Sequence, residues 1–219
     1  MEGAIARWYA SVTRKSISEF ELLAQRVAGE LMPGSAVLEV APGPGYFAIE
    51  LARRGDFHVT GLDISRTFVE IARKNAERAR VNVDFQRGNA SAMPFGTNQF
   101  DYLVCRAAFK NFSQPVEALR EFERVLKPGG LALLIDMRGD ATPESMKQAA
   151  AGLKTGTIDR WFIYLTFRFM LVKRAYTRAE FERMIALTKL CPLEMKESPI
   201  GLEILLGKSK AGLQFGPIT

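Results

Sequence analysis

The stretch Val37-Leu38-Glu39-Val40-Ala41-Pro42-Gly43-Pro44-Gly45 joins a short apolar run to a helical pattern through a glycine-containing turn. Glycine has no Cβ, so the backbone can come close to a ligand there. The helix start beyond offers free N–H groups to an anion. A dinucleotide loop has glycines at its first, third and sixth positions. Here the first is Ala41 and the sixth is Tyr46, which disfavours a pyrophosphate cradle. Twenty positions after Gly43, Asp63 ends a second apolar run. A carboxylate at that point can accept both hydroxyls of a ribose. The plainer alternative is an acid that caps a helix beside Ser65. Gly88-Asn89-Ala90 follows a third apolar run. A short polar side chain there can meet an adenine amino group, although Gly-Asn alone is only a turn.

These residues need a scaffold that places them at one edge, and the flanking patterns supply it. Ile17, Phe20, Leu23, Ala24, Val27 and Leu31 recur at helical spacing, so the first thirty residues read as helix up to Pro33-Gly34. Strands are expected at Ala36–Val40, His58–Leu62, Val81–Gln86, Phe100–Cys105 and Leu131–Asp136. Helices are expected at Tyr46–Arg53, Ser65–Ala79 with Ser65 as N-cap, and Pro115–Leu126, which ends at Lys127-Pro128-Gly129-Gly130. Regular alternation with continuous apolar strands predicts a parallel sheet covered on both faces. Thr177–Leu190 reads as a capped helix. Leu193–Glu197 and Leu202–Gly207 are joined too closely for anything but an antiparallel hairpin. The expectation is a Rossmann-like α/β three-layer sandwich with a seven-stranded, mostly parallel sheet. Its expected parts are a helical cap (1–32), a core (33–136), a helical insertion or lid (137–176), and a terminal helix with hairpin (177–219).

The 219 residues suit one α/β domain, and 47% hydrophobic with 25% charged residues suit a soluble one. Cys105 and Cys191 have no paired spacing, so neither a disulfide framework nor a metal site is expected. The net charge of +6 is spread along the chain, so a mildly basic surface without a nucleic-acid partner is expected. The first residues lack a signal-peptide pattern, and Trp161–Val172 is too short to span a bilayer. The expected setting is cytoplasmic, with the chain a monomer or homodimer.

The ordered segments LEVAPGPG, GLDIS, GNASAMPF, FDYLVCRAAFKNF and RVLKPGGLALLID resemble the class I S-adenosylmethionine-dependent methyltransferases, most of all the group that includes the quinone-biosynthesis enzymes. The resemblance covers about residues 35 to 136. It implies S-adenosylmethionine as cofactor, S-adenosylhomocysteine as product, and a small-molecule acceptor methylated on O, N or C. It implies that Glu39 orients the glycine loop and approaches the methionine amino group. Ala41, Pro42, Gly43 and Gly45 would line methionine and ribose. Asp63 would bind the ribose, Ile64 would pack on adenine, Asn89 and Ala90 would hold the adenine edge, and Arg106 would lie near the methionine end. Ala41-Pro42 departs from the commoner Gly-Cys or Gly-Ala pair, and Asn89 replaces an aspartate.

Methyl transfer from a sulfonium needs alignment first and a base only if the acceptor is protonated. The single histidine, His58, begins the second strand, far from the strand ends that bear the site. The family's frequent histidine after the fourth strand is replaced by Phe109-Lys110-Asn111-Phe112. Tyr9, Lys110 and Asp136 are the remaining base candidates, and catalysis by proximity is the expectation. Acceptor contacts are expected from Tyr9 and Arg14, with Trp8 and Thr13 nearby. Phe109, Arg138, Trp161 and Tyr164 are expected on the other side, with Phe112 and Phe167. No Asn-Pro-Pro-Tyr, Pro-Cys or paired acidic loop follows the fourth strand, which argues against nucleic-acid base and arginine methylation. Two rivals stand beside this reading: a nicotinamide-dependent dehydrogenase, and a protein that keeps the cofactor while catalysing a non-methylating reaction.

Overall fold

The computed structural model describes residues 1–14, 17–151 and 174–209. Its helices are α1 (Gly3–Thr13), α2 (Ile17–Ala28), α3 (Tyr46–Ala52), α4 (Arg66–Ala79), α5 (Pro115–Val125), α6 (Pro143–Ala151) and α7 (Arg178–Ile185). Its strands are β1 (Ala36–Val40), β2 (His58–Asp63), β3 (Asp84–Arg87), β4 (Phe100–Arg106), β5 (Leu126–Met137), β6 (Leu190–Glu197) and β7 (Gly201–Lys208). They form one seven-stranded sheet in the order β3-β2-β1-β4-β5-β7-β6. β1 to β5 pair in parallel, while β7 lies antiparallel to both β5 and β6. The chain order reverses direction on the sheet at β1, between β2 and β4, which opens a crevice above their carboxyl ends.

Period-two alternation divides the strand residues between two cores. Val37, Val59, Tyr102, Val104 and Leu133 pack with Phe20, Phe47 and Leu51. Leu38, Leu62, Leu103, Cys105 and Leu134 pack with Phe109, Phe122 and Phe181 on the other face. Both faces are covered, so the strands read as unbroken apolar runs.

Several boundaries differ from the sequence expectation. The first thirty residues form two helices rather than one. α1 buries only Ala6 and Ala10, whereas α2 buries Phe20, Leu23, Ala24 and Val27. Their different contact faces require different axes. β3 begins at Asp84 rather than Val81. The terminal helix stops at Ile185 because the Thr188 hydroxyl donates to the Ile185 carbonyl and accepts from the Leu190 amide, where β6 begins. α5 ends at Val125, and Lys127–Gly130 lies inside β5, where the pairing with β4 slips between Phe100 and Tyr102. The expected caps are in place: Ser65 accepts from Phe68 N, and Thr177 with Glu180 forms a full capping box.

One outer edge of the sheet is β6. Its register with β7 slips between Pro192 and Glu194, and Glu194, Lys196 and Glu197 are exposed along it. Residues 152–160 and the apolar run Trp161–Val172, including Trp161, Tyr164 and Phe167, lie outside the described residues.

Candidate functional site

The glycine loop leaves β1 in a conformation that its sequence only half favours. Ala41, Gly43 and Gly45 all have positive φ, at 56°, 54° and 79°. At Gly43 a Cβ would meet nothing within 4 Å, so that glycine faces open space. At Gly45 a Cβ would fall 2.6 Å from the Phe85 ring, so this glycine seats the start of α3 against β3. Ala41 has no such freedom, and the left-handed region costs a non-glycine residue about 1–2 kcal/mol. Ala41→Gly should therefore raise the unfolding free energy by about 1 kcal/mol after the extra chain entropy of glycine is offset. Urea denaturation of the two proteins measures this, and a less stable variant would refute it.

The loop is stapled to the end of β2. Ala41 N donates to the Leu62 carbonyl at 2.8 Å. Gly43 N donates to one Asp63 carboxylate oxygen at 3.0 Å, and Ser65 N donates to the other at 2.8 Å. Asp63 is buried, and the loss of water pushes its carboxyl above the usual range while these two N–H groups oppose that rise. Each oxygen keeps a second lone pair. Ile64, next in sequence, is 62% exposed although its neighbours Asp63 and Ser65 are buried.

Glu39 lies beneath the loop, buried on β1. One of its oxygens accepts from Ala48 N, in the first turn of α3, at 3.1 Å. Burial pushes its carboxyl up to about 8, opposed by the Ala48 bond and by the Arg106 charge. The unfolded chain ionises Glu39 in the ordinary carboxylate range, whereas the fold holds the proton to about pH 8. Stability therefore falls as pH rises between those values. Glu39→Gln keeps an acceptor for Ala48 and removes that loss. It should melt close to the wild type at pH 5 and clearly above it at pH 9; a lower melting temperature at pH 9 would contradict the assignment.

Two joined hollows lie over the carboxyl ends of β1, β2 and β4. The larger, about 190 Å³, is lined by Glu39, Gly43, Asp63 and Arg106 on the strand side, and by Tyr9, Thr13 and Phe68 on the helix side. The smaller, about 100 Å³, is lined by Gly88, Asn89, Ala90 and Ser91. Both share Ala41, Ile64, Asn111 and Phe112. A roomier groove of about 520 Å³ lies at the opposite strand ends, around Asp56, His58 and Asp84. It is open and has no glycine loop, and parallel sheets hold ligands at their carboxyl ends. His58 thus stands at the far end of the sheet.

The other expected site residues divide clearly. Pro42 and Ala90 line the hollows. Asn89 does so too, but its side-chain oxygen already accepts from Ser91 N, which makes it a turn residue as well. Arg106 stacks over Phe20 at 4.5 Å and pairs with Glu19 at 2.6 Å, fixing α2 beside the larger hollow. Tyr9 sets its ring edge-on to Phe68, with centroids 5.8 Å apart. Lys110 and Asp136 do not line either hollow. They form a buried pair, Nζ to Oδ1 at 2.6 Å, and the Asp136 carboxylate also accepts from the amides of Lys110 and Met137. Phe109 is fully buried among Phe112, Phe122, Tyr176 and Phe181 and serves the core instead of an acceptor. Arg138 is held by Asp140 and Glu197. Arg14 lines a separate groove with Tyr46 and Asn75, and Trp8 points to solvent. Residues not singled out from the sequence are Phe68 and Asn111. Asn111 ends a 3-10 turn, Phe109–Asn111, whose first two residues are buried, so it alone of the three is exposed.

With its crevice and its antiparallel β7 between β5 and β6, the chain shares the Rossmann-like fold of solved S-adenosylmethionine-dependent methyltransferases. Within the chain, residues 37–130 match the family described as a methyltransferase domain. The demethylmenaquinone methyltransferase of Listeria welshimeri is 38% identical over 106 residues, which are 47% of this chain and 45% of that protein. The ubiquinone/menaquinone biosynthesis C-methyltransferase UbiE of Ruegeria sp. is 38% identical over 107 residues, 48% of this chain and 43% of that protein. The matched segment spans just under half the length of these curated relatives. Among solved structures, an S-adenosylmethionine-dependent methyltransferase from Aquifex aeolicus aligns with a TM-score of 0.68 at 19% identity, covering 90% of this chain and 97% of that one. The [4+2]-cyclase SpnF aligns at 0.69 and 19% identity, covering 87% and 81%. At such identities the structures speak for the fold alone.

Proposed function

We propose that this chain transfers the methyl group of S-adenosylmethionine to a small acceptor with an apolar ring, of the demethylmenaquinone type. The carrying observation is one hollow lined both by the polar set Glu39, Gly43 and Asp63 and by the aromatic set Tyr9, Phe20, Phe68 and Phe112. The residues fit the cofactor. Glu39 has one carboxylate oxygen bonded to Ala48 and keeps the other for an ammonium group, which would offset the cost of its buried charge. Gly43 leaves open the space a Cβ would fill. Asp63 has lone pairs for two hydroxyls, and the exposed face of Ile64 suits a flat base. The bound cofactor would supply an activated methyl group.

The chain's own part is alignment and exclusion of water. Among the described residues lining the hollow there is no imidazole, and Lys110 and Asp136 hold each other. Tyr9 and Asn111 are the polar groups left to orient an acceptor, so proximity carries the rate. Incubation with S-adenosylmethionine and a demethylmenaquinone, followed by mass spectrometry, tests the reading. Tyr9→Phe should keep kcat within about tenfold; a loss above about a thousandfold with normal cofactor binding would mark Tyr9 as an essential base. The nicotinamide alternative has no third loop glycine, and Tyr46 at that position donates its hydroxyl to the Ala10 carbonyl. Stabilisation by NAD and not by S-adenosylhomocysteine would overturn the present reading.

A further inference from the structure

The N-termini of α1 and α4 cap each other. Glu2 stands at the N-cap of α1, yet its side chain caps nothing on its own helix. Its carboxylate crosses to the first turn of α4. There it accepts from the amides of Arg66 at 3.0 Å and Thr67 at 3.1 Å, and from the Thr67 hydroxyl at 2.5 Å. Thr67 returns the bond, because its Oγ1 accepts from Gly3 N, the first amide of α1, at 3.0 Å. Ser65 accepts from Phe68 N, so the first three amides of α4 all meet acceptors. Helix N-termini carry partial positive charge, and here two of them share one carboxylate. The Thr67 hydroxyl and amide hold the Glu2 carboxyl down to about 2, so the clasp is charged at any ordinary pH.

α1 has little else to hold it. A helix of 11 residues is marginal on its own, and this one buries only Ala6 and Ala10, whose small side chains contribute little. Among the described residues its other polar tie is the bond from the Tyr46 hydroxyl to the Ala10 carbonyl at 3.0 Å, and the Tyr9 ring rests edge-on against Phe68. Yet α1 supplies Tyr9 and Thr13 to the wall of the larger hollow. Glu2 and Thr67 line neither hollow. They grip α4 just past Asp63, Ile64 and Ser65, where Ser65 N donates to the Asp63 carboxylate.

We propose that Glu2 and Thr67 are positioning residues that keep α1 against the larger hollow and so set how long the cofactor stays. This rests on the reading that places S-adenosylmethionine in that hollow. Without the clasp, α1 opens one wall of the hollow to water while the sheet and its loops stay folded. The amides freed on α4 are at the surface and bond to water instead, so the rest of the fold loses little.

Hydrogen exchange of the full chain without ligand reads the clasp directly. In E2A and in T67V the amides of residues 7–13 should exchange at least about tenfold faster, while those of β1 and of residues 72–79 stay within about twofold. T67S keeps the hydroxyl and should match the wild type. S-adenosylhomocysteine should leave E2A and T67V at least about tenfold faster, with the association rate within about threefold, and T67S should again restore the wild-type value. Melting temperatures within roughly 2 °C of the wild type are expected. Unchanged exchange of residues 7–13 in E2A would overturn the proposal, as would faster exchange that leaves the dissociation rate untouched. Faster exchange throughout the chain, or a T67S protein as loose as T67V, would do the same. A wild-type chain that does not bind S-adenosylhomocysteine would count against the cofactor reading, while the exchange data would still decide the clasp.

Discussion

Asp63→Ala should weaken S-adenosylhomocysteine binding by at least about a hundredfold and cost about 3 kcal/mol of stability. The two effects share one cause. The carboxylate accepts from Gly43 N and Ser65 N, and both donors are buried with it. Alanine leaves two amide groups without acceptors, and each lost bond to a charged group is worth about 1.5–3 kcal/mol before relaxation. The same change leaves the glycine loop tied to β2 only through Ala41 N and the Leu62 carbonyl, and removes the proposed acceptor for a ribose. Titration calorimetry and thermal melts read the two losses, with a melting temperature expected to fall by roughly 6–12 °C. Asp63→Asn is the sharper probe. Its amide offers one oxygen and turns an NH2 toward a backbone N–H, so one contact becomes repulsive. Normal affinity in Asp63→Asn would show that the carboxylate only builds the loop.

Lys110→Met should destabilise the protein by about 3 kcal/mol, because it strands the buried Asp136 carboxylate. That carboxylate keeps the Lys110 and Met137 amides as donors, which limits the loss. The double variant Lys110→Met/Asp136→Asn should recover a good part of it, since no charge is left to solvate. Urea denaturation of the three proteins decides the matter. Additive losses in the double variant would remove the charge argument. An Asp136→Asn protein of full stability but without turnover would restore Asp136 as a catalytic group.

The contrast between these two sites shows what the sequence could convey. The glycine loop, Asp63 and Ile64 were legible because each sits at the end of an apolar run, where strand, turn and residue type coincide. The sheet was legible for the same reason, and the close spacing of β6 and β7 gave its antiparallel end. That Lys110 and Asp136 face each other instead of the hollow was not legible, because a charged residue near a strand end looks alike whether it faces a hollow or a partner. Only the parallel pairing of β4 with β5 brings the two together across 26 positions. Phe109 was misplaced by its neighbours: the 3-10 turn sends Phe109 inward and Asn111 outward, and no simple period encodes that turn. Asn89 lines the smaller hollow and also closes its own turn. The split between α1 and α2 was invisible because small buried alanines give α1 almost no apolar signal on its inner side, while Ile5, Trp8 and Val12 give a strong one on its outer side.

The β6 edge has a bearing on how the protein behaves at high concentration. A free strand edge is a template for another chain, and long, flat, apolar edges invite fibrils. Here proline removes a donor from the strand, and Glu194, Lys196 and Glu197 place charges of both signs along it. A second β6 brought alongside would have to desolvate those charges and match a strand whose register slips just after Pro192. This side of the sheet is thus poorly suited to stacking, and the folded protein should stay free of thioflavin-positive aggregates through it even when concentrated.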